Sequence, residues 1–334
     1  MRQQAVFAVV IDGTDITARI EKILQSISTQ DRAGVSADQA SIIIDDSEGN
    51  LIFPKENALC SISLGFKGKG IAQVFVGKID EVRSKGGRGG RTIHITAKGI
   101  DTASRLKEPQ NRNFDDLSIK EMLVAAGQPA GITDIRVDDD LAGIVREYEH
   151  MDNESFIAFG ERLAREIGGT FKIRDNIAVM ALMNSGRTPT GAPLPVIEAV
   201  YAENLHDWDI APYIGRHRYA KIIVRFYDKA TAQWDQVEVD TGIEGSEAAA
   251  TGRFEAEDKA AAENKANELK AMSQKKSGAG TVTLEGEVMA ASEAECLVIG
   301  ARGGADGSYK INSVKHVYNR GSGFITTLDL NYPT

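Results

Sequence analysis

The densest chemistry in the chain is a run of positive charge on glycine: Ser84-Lys85-Gly86-Gly87-Arg88-Gly89-Gly90-Arg91, with Arg83 just before it. A phosphate-binding loop places its glycines between a strand and a helix, so that free backbone amides face the anion. Here the glycines lie between two alternating, strand-like runs, Gln73 to Val82 and Arg91 to Ala97. The stretch therefore reads as a hairpin tip. Its chemistry is long-range charge: Arg83, Lys85, Arg88 and Arg91 form a candidate interface able to dock an acidic rim on a neighbouring subunit or ring.

Other reactive groups are scattered. Asp138-Asp139-Asp140 lacks the glycine and distal glutamate of a calcium loop and reads as a solvated loop. His94, His150, His206, His217 and His316 form no HExxH motif and no i, i+4 pair. Cys60 and Cys296 stand alone in sequence and read as small core residues. No GxSxG nucleophile elbow occurs, and no pair of carboxylates is singled out. Trp208 and Trp234 read as core or packing residues rather than ligand platforms. The expectation is a protein without catalytic residues, metal or cofactor, acting through its surfaces.

A chain of 334 residues, 42% hydrophobic and 26% charged, has room for two or three packed domains. No basic stretch followed by an apolar block opens it, and no apolar run approaches membrane-spanning length. Synthesis in the cytoplasm without stable membrane insertion is expected. The net charge of −9 disfavours a broad grip on phosphate. DNA would pass such a protein without specific binding.

Period-2 alternation dominates the first hundred residues: Ala5 to Ile11, Ile20 to Ser28, Ala40 to Asp46, Cys60 to Phe66, Gln73 to Val82 and Arg91 to Ala97, separated by turn signals. This predicts an antiparallel sandwich or barrel over residues 1–107. The polar Glu108 to Asn113 reads as a connector to an α+β domain over 108–184. There, Ser118 and Glu121 make a capping box for a helix over 119–126, and Phe156, Phe159, Leu163 and Ile167 share one face of a second helix. A hairpin over 170–182 turns at Asp175-Asn176. Residues 185–204, with Pro189, Pro193 and Pro195, read as a linker. Strands return over 205–334, interrupted by a helix over 256–274 expected to pack on the barrel wall. The fold class is β-rich α+β, with two antiparallel β-barrels around an α+β middle domain.

The Ala-rich helix followed by Gly307-Ser308-Tyr309-Lys310-Ile311-Asn312-Ser313-Val314-Lys315-His316 and Gly323-Phe324-Ile325-Thr326-Thr327-Leu328-Asp329-Leu330 resembles the closing barrel of the late control protein D family of contractile-tail phages. Asn153-Glu154-Ser155-Phe156, leading to Leu163-Ala164-Arg165-Glu166-Ile167-Gly168-Gly169, is similar to it too. The family is related to the hub half of the VgrG spike proteins of type VI secretion. The resemblance implies tail-tube-like barrels and a homotrimer whose two barrels per subunit make a pseudo-sixfold ring between a hexameric tail tube protein and a trimeric central spike protein. It also implies a place in the tail of a virion or phage-like particle, with tape-measure and other baseplate proteins as further partners. No lysozyme-like or spike extension is expected after Thr334. A late-gene DNA-binding regulator and a wall hydrolase at the tail tip are the rival readings. The first needs a basic recognition element, and the second a catalytic signature.

Overall fold

The N-terminal alternation becomes real strands because each places one row of apolar side chains against a shared core. In the computed structural model, which describes residues 3–33, 37–99, 105–174, 177–183, 186, 192–212, 219–229, 231–243, 245–253, 255–275 and 279–331, these are β1 (Ala5–Ile11), β2 (Thr14–Asp15), β3 (Leu24–Arg32), β4 (Gln39–Asp45), β5 (Leu59–Phe66), β6 (Gly70–Gly87) and β7 (Gly90–Lys98). Val9, Ile27, Ile42, Ile62 and Ile79 face inward, each 1% exposed or less. Burying a side chain of this size stabilises by about 2 kcal/mol. The strand expected over 20–28 starts later than its pattern suggested, because residues Thr17–Ile20 form a helical turn, α1. Its start is fixed by Asp15, which accepts from the Thr17 amide, and by Thr17, whose hydroxyl oxygen accepts from Val9.

The middle region contains β8 (Pro109–Ser118), α2 (Ile119–Gly127), β9 (Asp134–Val137), α3 (Asp139–Ala142), β10 (Val145–Ser155), α4 (Phe156–Glu166), β11 (Gly169–Arg174) and β12 (Ile177–Leu182). The expected connector at 108–113 is mostly strand: β8 pairs antiparallel with β10 from Pro109↔Ser155 to Ser118↔Val145. Its pattern was silent because Phe114 is its one buried residue. The capping box is present, Ser118 N–H donating to Glu121 at 2.9 Å. On α4, Phe156, Phe159, Leu163 and Ile167 are all buried, as their spacing requires. The predicted turn at Asp175-Asn176 lies outside the described residues. Gly160 allows α4 to lie flat on β11, since a Cβ there would stand 2.5 Å from the Phe171 ring.

The last region holds β13 (Val196–Val200), β14 (Leu205–Ala211), β15 (Lys221–Asp228), β16 (Gln233–Asp240), β17 (Ala249–Thr251), α5 (Lys259–Lys275), β18 (Ala279–Glu285), β19 (Glu295–Ile299), β20 (Gly307–Asn319) and β21 (Gly323–Asn331). The α5 helix packs on the small β16-β15-β17 sheet rather than on the larger sheet expected as a barrel wall. The small residues Ala262 and Ala266 let it approach Ile222, Val224 and Phe226 closely.

The expected two barrels share one sheet. The sheet has thirteen strands: eleven run in the path β14-β18-β21-β20-β3-β4-β7-β6-β5-β1-β2, and β19, carrying β13, branches from β20. The pairings among described residues close neither half on itself. The seam is β3 against β20, antiparallel from Arg32↔Ser313 to Ser26↔Asn319. At one end of this seam Lys172 of β11 bonds Asp31, and it reaches Asp38 at 2.6 Å. Asp31 also accepts from the Ser292 amide and hydroxyl, at 3.0 and 2.9 Å. Burial alone would raise the Asp31 pKa, but the Lys172 charge and the bonds from Lys172 and Ser292 outweigh it and hold the carboxyl below its ordinary value. Burial likewise opposes the charge on Lys172, and Asp31 and Asp38 overcome it.

Two outcomes are expected. Lys172→Met removes the cation that Asp31 and Asp38 share and should destabilise by about 2 kcal/mol at neutral pH, less than a fully buried pair would lose because the lysine is partly exposed. A depressed carboxyl contributes stability above its unfolded pKa and loses it as pH falls, so thermal melts should show the gap between wild type and variant narrowing below about pH 4. Gly160→Ala should cost about 1–3 kcal/mol by overpacking against Phe171, read as a lower denaturant midpoint.

Candidate assembly interface

The cationic tip is the end of a hairpin arm whose register runs from Lys78↔Lys98 to Gly87↔Gly90. Cross-strand partners share a face and alternate along the strands. Arg83 and Lys85 therefore stand on one face with their partners His94 and Thr92, while Arg91, opposite Gly86, stands on the other, the face that carries the buried Ile93 nearer the base. Arg88 is at the tip. The structure thus brings Arg83 and Lys85 together and separates Arg91 from them. All four are exposed.

Their electrostatics differ. Arg83 donates to Glu81 at 2.6 Å, an exposed pair that contributes little to stability. Lys85, Arg88 and Arg91 join no ion pair with another described residue. Desolvation lowers the His94 pKa, and the charges of Lys85 and Arg83 lower it further, so the imidazole stays neutral at pH 7 and the face remains clean of a third titrating cation. Arg91 leans across Gly49, where a Cβ would meet its guanidinium at 2.3 Å, and its carbonyl accepts from Asp46 at 2.9 Å. The loop after β4 is thereby held against the arm. This loop raises Ile52, 95% exposed, and Phe53, 53% exposed. Reading the sequence for charge missed them; the signal was Leu51-Ile52-Phe53-Pro54, an apolar run directly after a turn.

A second exposed surface lies where a linker was expected. Val196–Val200 pairs parallel with Glu295–Ile299. The turn into β14 is locked by Asn204, which accepts from Val200 at 2.8 Å and donates to the Glu198 carbonyl at 2.7 Å. Tyr201 is 55% exposed and meets Trp208 edge-on at 5.4 Å. Ile299 is exposed beside it and Val196 at the far end of β13, and Glu198, Glu203, Asp207 and Asp209 are all exposed.

The other chemistry-bearing residues are spent on the fold. Asp138 caps α3 by accepting from Asp140 at 3.1 Å. Cys60 and Cys296 are fully buried thiols, pushed up to about 12, by burial for Cys60 and by burial with the adjacent Glu295 for Cys296. His316, bonded to Thr326 at 2.9 Å, is lowered to about 4 by burial, against a smaller opposing pull from Asp31. His150 bonds Asn113 at 2.9 Å, and His217 lies outside the described residues. Trp208 packs partly buried against the C-terminal core, as expected, but Trp234 is 64% exposed, resting edge-on against Tyr227 across the β15–β16 pair. Among the described residues no group of three or more His, Cys, Asp or Glu is placed to hold a metal ion, and no helix is long and apolar enough to cross a membrane.

No family model matches the chain. Over 228 residues it is 25% identical to the probable baseplate hub protein of Escherichia phage 186, covering 68% of this chain and 55% of that protein. The chain is a homologue of phage baseplate hub proteins. It spans about half the length of the curated relatives it matches. Its fold is that of the 43 kDa tail protein of prophage MuSo2 from Shewanella oneidensis, with a TM-score of 0.74 at 16% identity over 98% of both chains. The E. coli c3393 protein, described as a type VI secretion component with structural similarity to the phage T4 tail proteins gp27 and gp5, gives a TM-score of 0.58 at 11% identity over 98% of this chain and 76% of its own.

Because all three side chains are exposed and Arg91's contact with Gly49 is a surface one, Lys85→Ala, Arg88→Ala and Arg91→Ala together should leave stability within about 0.5 kcal/mol per site. Thermal melts of purified protein check this, and a large drop would make the arm a folding element instead of a docking one.

Proposed function

We propose that this chain is a non-enzymatic structural hub in the tail baseplate of a phage or phage-like particle. The observation that carries the reading is its homology to phage 186 and P2 hub proteins, joined to a fold match with a phage tail protein over nearly the whole chain. The hub works as a homotrimer. Each subunit contributes two β-rich halves, the N-terminal one over residues 1–107 and the C-terminal one over 205–334, which round into tube-like barrels in the assembled ring. Three such subunits present six similar units, so a threefold object meets a sixfold tube without breaking closed symmetry. The tail tube protein sits on one side and the central spike protein on the other, with tape-measure and other baseplate proteins as further contacts.

A net charge of −9 per subunit suits a lumen through which DNA slides without being held. Neither a regulator nor a wall hydrolase gains a supporting observation from the relatives.

Negative-stain electron microscopy of the purified chain, alone and with tube or spike protein, tests the reading. Threefold rings are expected. Monomers at every concentration and in both mixtures would overturn it.

A further inference from the structure

Two exposed surfaces of this chain carry opposite charge and similar apolar content. Residues 82–92 hold four cations and no carboxylate; the loop pinned beside them, which follows Asp45 and carries Asp46 and Glu48, raises Ile52 and Phe53 into solvent. Residues 196–211 hold four carboxylates and no lysine or arginine, with Val196 and Tyr201 exposed among them and Ile299 alongside. Scattered apolar residues on a surface are ordinary, whereas apolar residues grouped inside a field of one charge sign mark a contact surface.

Beyond the Arg83–Glu81 pair, the charges of neither surface are taken up in ion pairs among the described residues. Glu81 takes Arg83, which leaves Lys85, Arg88 and Arg91 without an ionic partner among the described residues. Glu198, Glu203, Asp207 and Asp209 join no ion pair with a described residue either. Along the sheet, β18, β21, β20, β3 and β4 lie between β14 and β7. Complementary surfaces held apart on one chain satisfy each other when one copy meets the next. Such a contact is heterologous, head to tail, and closes into a ring when the rotation per copy permits.

We propose that the hairpin arm, with Ile52 and Phe53 beside it, docks onto the Tyr201 face of a second copy of this chain. The inference rests on the homotrimeric reading above and adds which surfaces meet. Apolar contact at Ile52, Phe53 and Tyr201 supplies the buried centre; Arg91, on the loop's side of the arm, and Arg88 at its tip meet Glu203, Asp207 and Asp209 and set register, while Lys85 on the opposite face adds to the field that speeds encounter. The contact is directional, because the arm of one copy and the hairpin of the next are different segments. It therefore leaves each copy one arm and one face to offer.

The test uses the full chain and reads association by mass photometry and sedimentation across a concentration series. Two variants reverse one side each: Lys85→Glu with Arg88→Glu and Arg91→Glu, and Glu203→Lys with Asp207→Lys and Asp209→Lys. A third carries both sets. Each single-sided reversal should weaken assembly about tenfold or more, and the combined chain should recover most of it. Since all six positions are exposed, circular dichroism and melting should match wild type in all three. Wild-type assembly that is indifferent to both reversals overturns the inference and leaves the ring reading standing. Loss in both single-sided variants without recovery in the combined chain overturns the pairing of these two surfaces. A wild-type chain that stays monomeric throughout the series overturns the inference, and the ring reading is then decided by the mixtures with tube or spike protein.

Discussion

The antiparallel seam between β3 and β20 joins residues 26–32 to residues 313–319, and the rest of the architecture hangs on it. Without it the N-terminal and C-terminal strands would each end in a long open edge, with backbone amides and carbonyls unpaired. With it the two halves become one sheet and exchange side chains: Phe324 and Tyr318 lie in the N-terminal core, Phe66 against Phe324 and Phe7 against Tyr318 at centroid distances of 5.6 and 4.9 Å. The Lys172 clamp sits at one end of this seam and ties in the middle domain and the Ser292 turn. A buried ion pair is a poor source of net stability beside an apolar replacement, but it penalises any arrangement that separates its partners. Its effect is to fix where three segments, far apart in sequence, must meet.

What the sequence disclosed follows from the range of each interaction. Strand alternation, the Ser118 capping box and the apolar stripe of α4 are local patterns, and each lies where its residues put it. The seam is not local: nothing in Ser26 to Arg32 names Ser313 to Asn319 as its partner, because ladder hydrogen bonds are made by backbone and carry no residue code. The same holds for β8, whose polar residues pair with β10 while both faces stay largely wet, so no alternation marks it. For α5, Ala262 and Ala266 make no conspicuous apolar stripe, yet their small size permits close packing on β15 and β16.

The candidate interface was half legible. Arg83, Lys85, Arg88 and Arg91 were visible as a charged glycine run, but which face each takes depends on the register with β7, which places Arg91 opposite Gly86 and away from Lys85. The acidic face was hidden by composition. Prolines at 189, 193 and 195 coloured the whole stretch as linker, although Val196-Ile197-Glu198-Ala199-Val200 alternates as a strand should. Trp234, read as packing, is exposed because its strand position faces away from α5, on the open side of the small sheet.

The arm itself argues for a partner on thermodynamic grounds. Its last residues pair down to Gly87↔Gly90 with no buried side chain between Arg83 and Thr92. Glycine gives up more conformational freedom than any other residue on ordering, and ladder bonds exposed to water return little. A free hairpin of this composition is the first part of the sheet to fray. A docked one excludes water from those bonds and sets its cations against fixed carboxylates, so ordering of the arm and binding of the neighbour become one equilibrium. In the proposed contact the glycines act as a device rather than a defect: they keep the arm compliant until a surface of the right charge is in reach, and they let its backbone approach that surface closely.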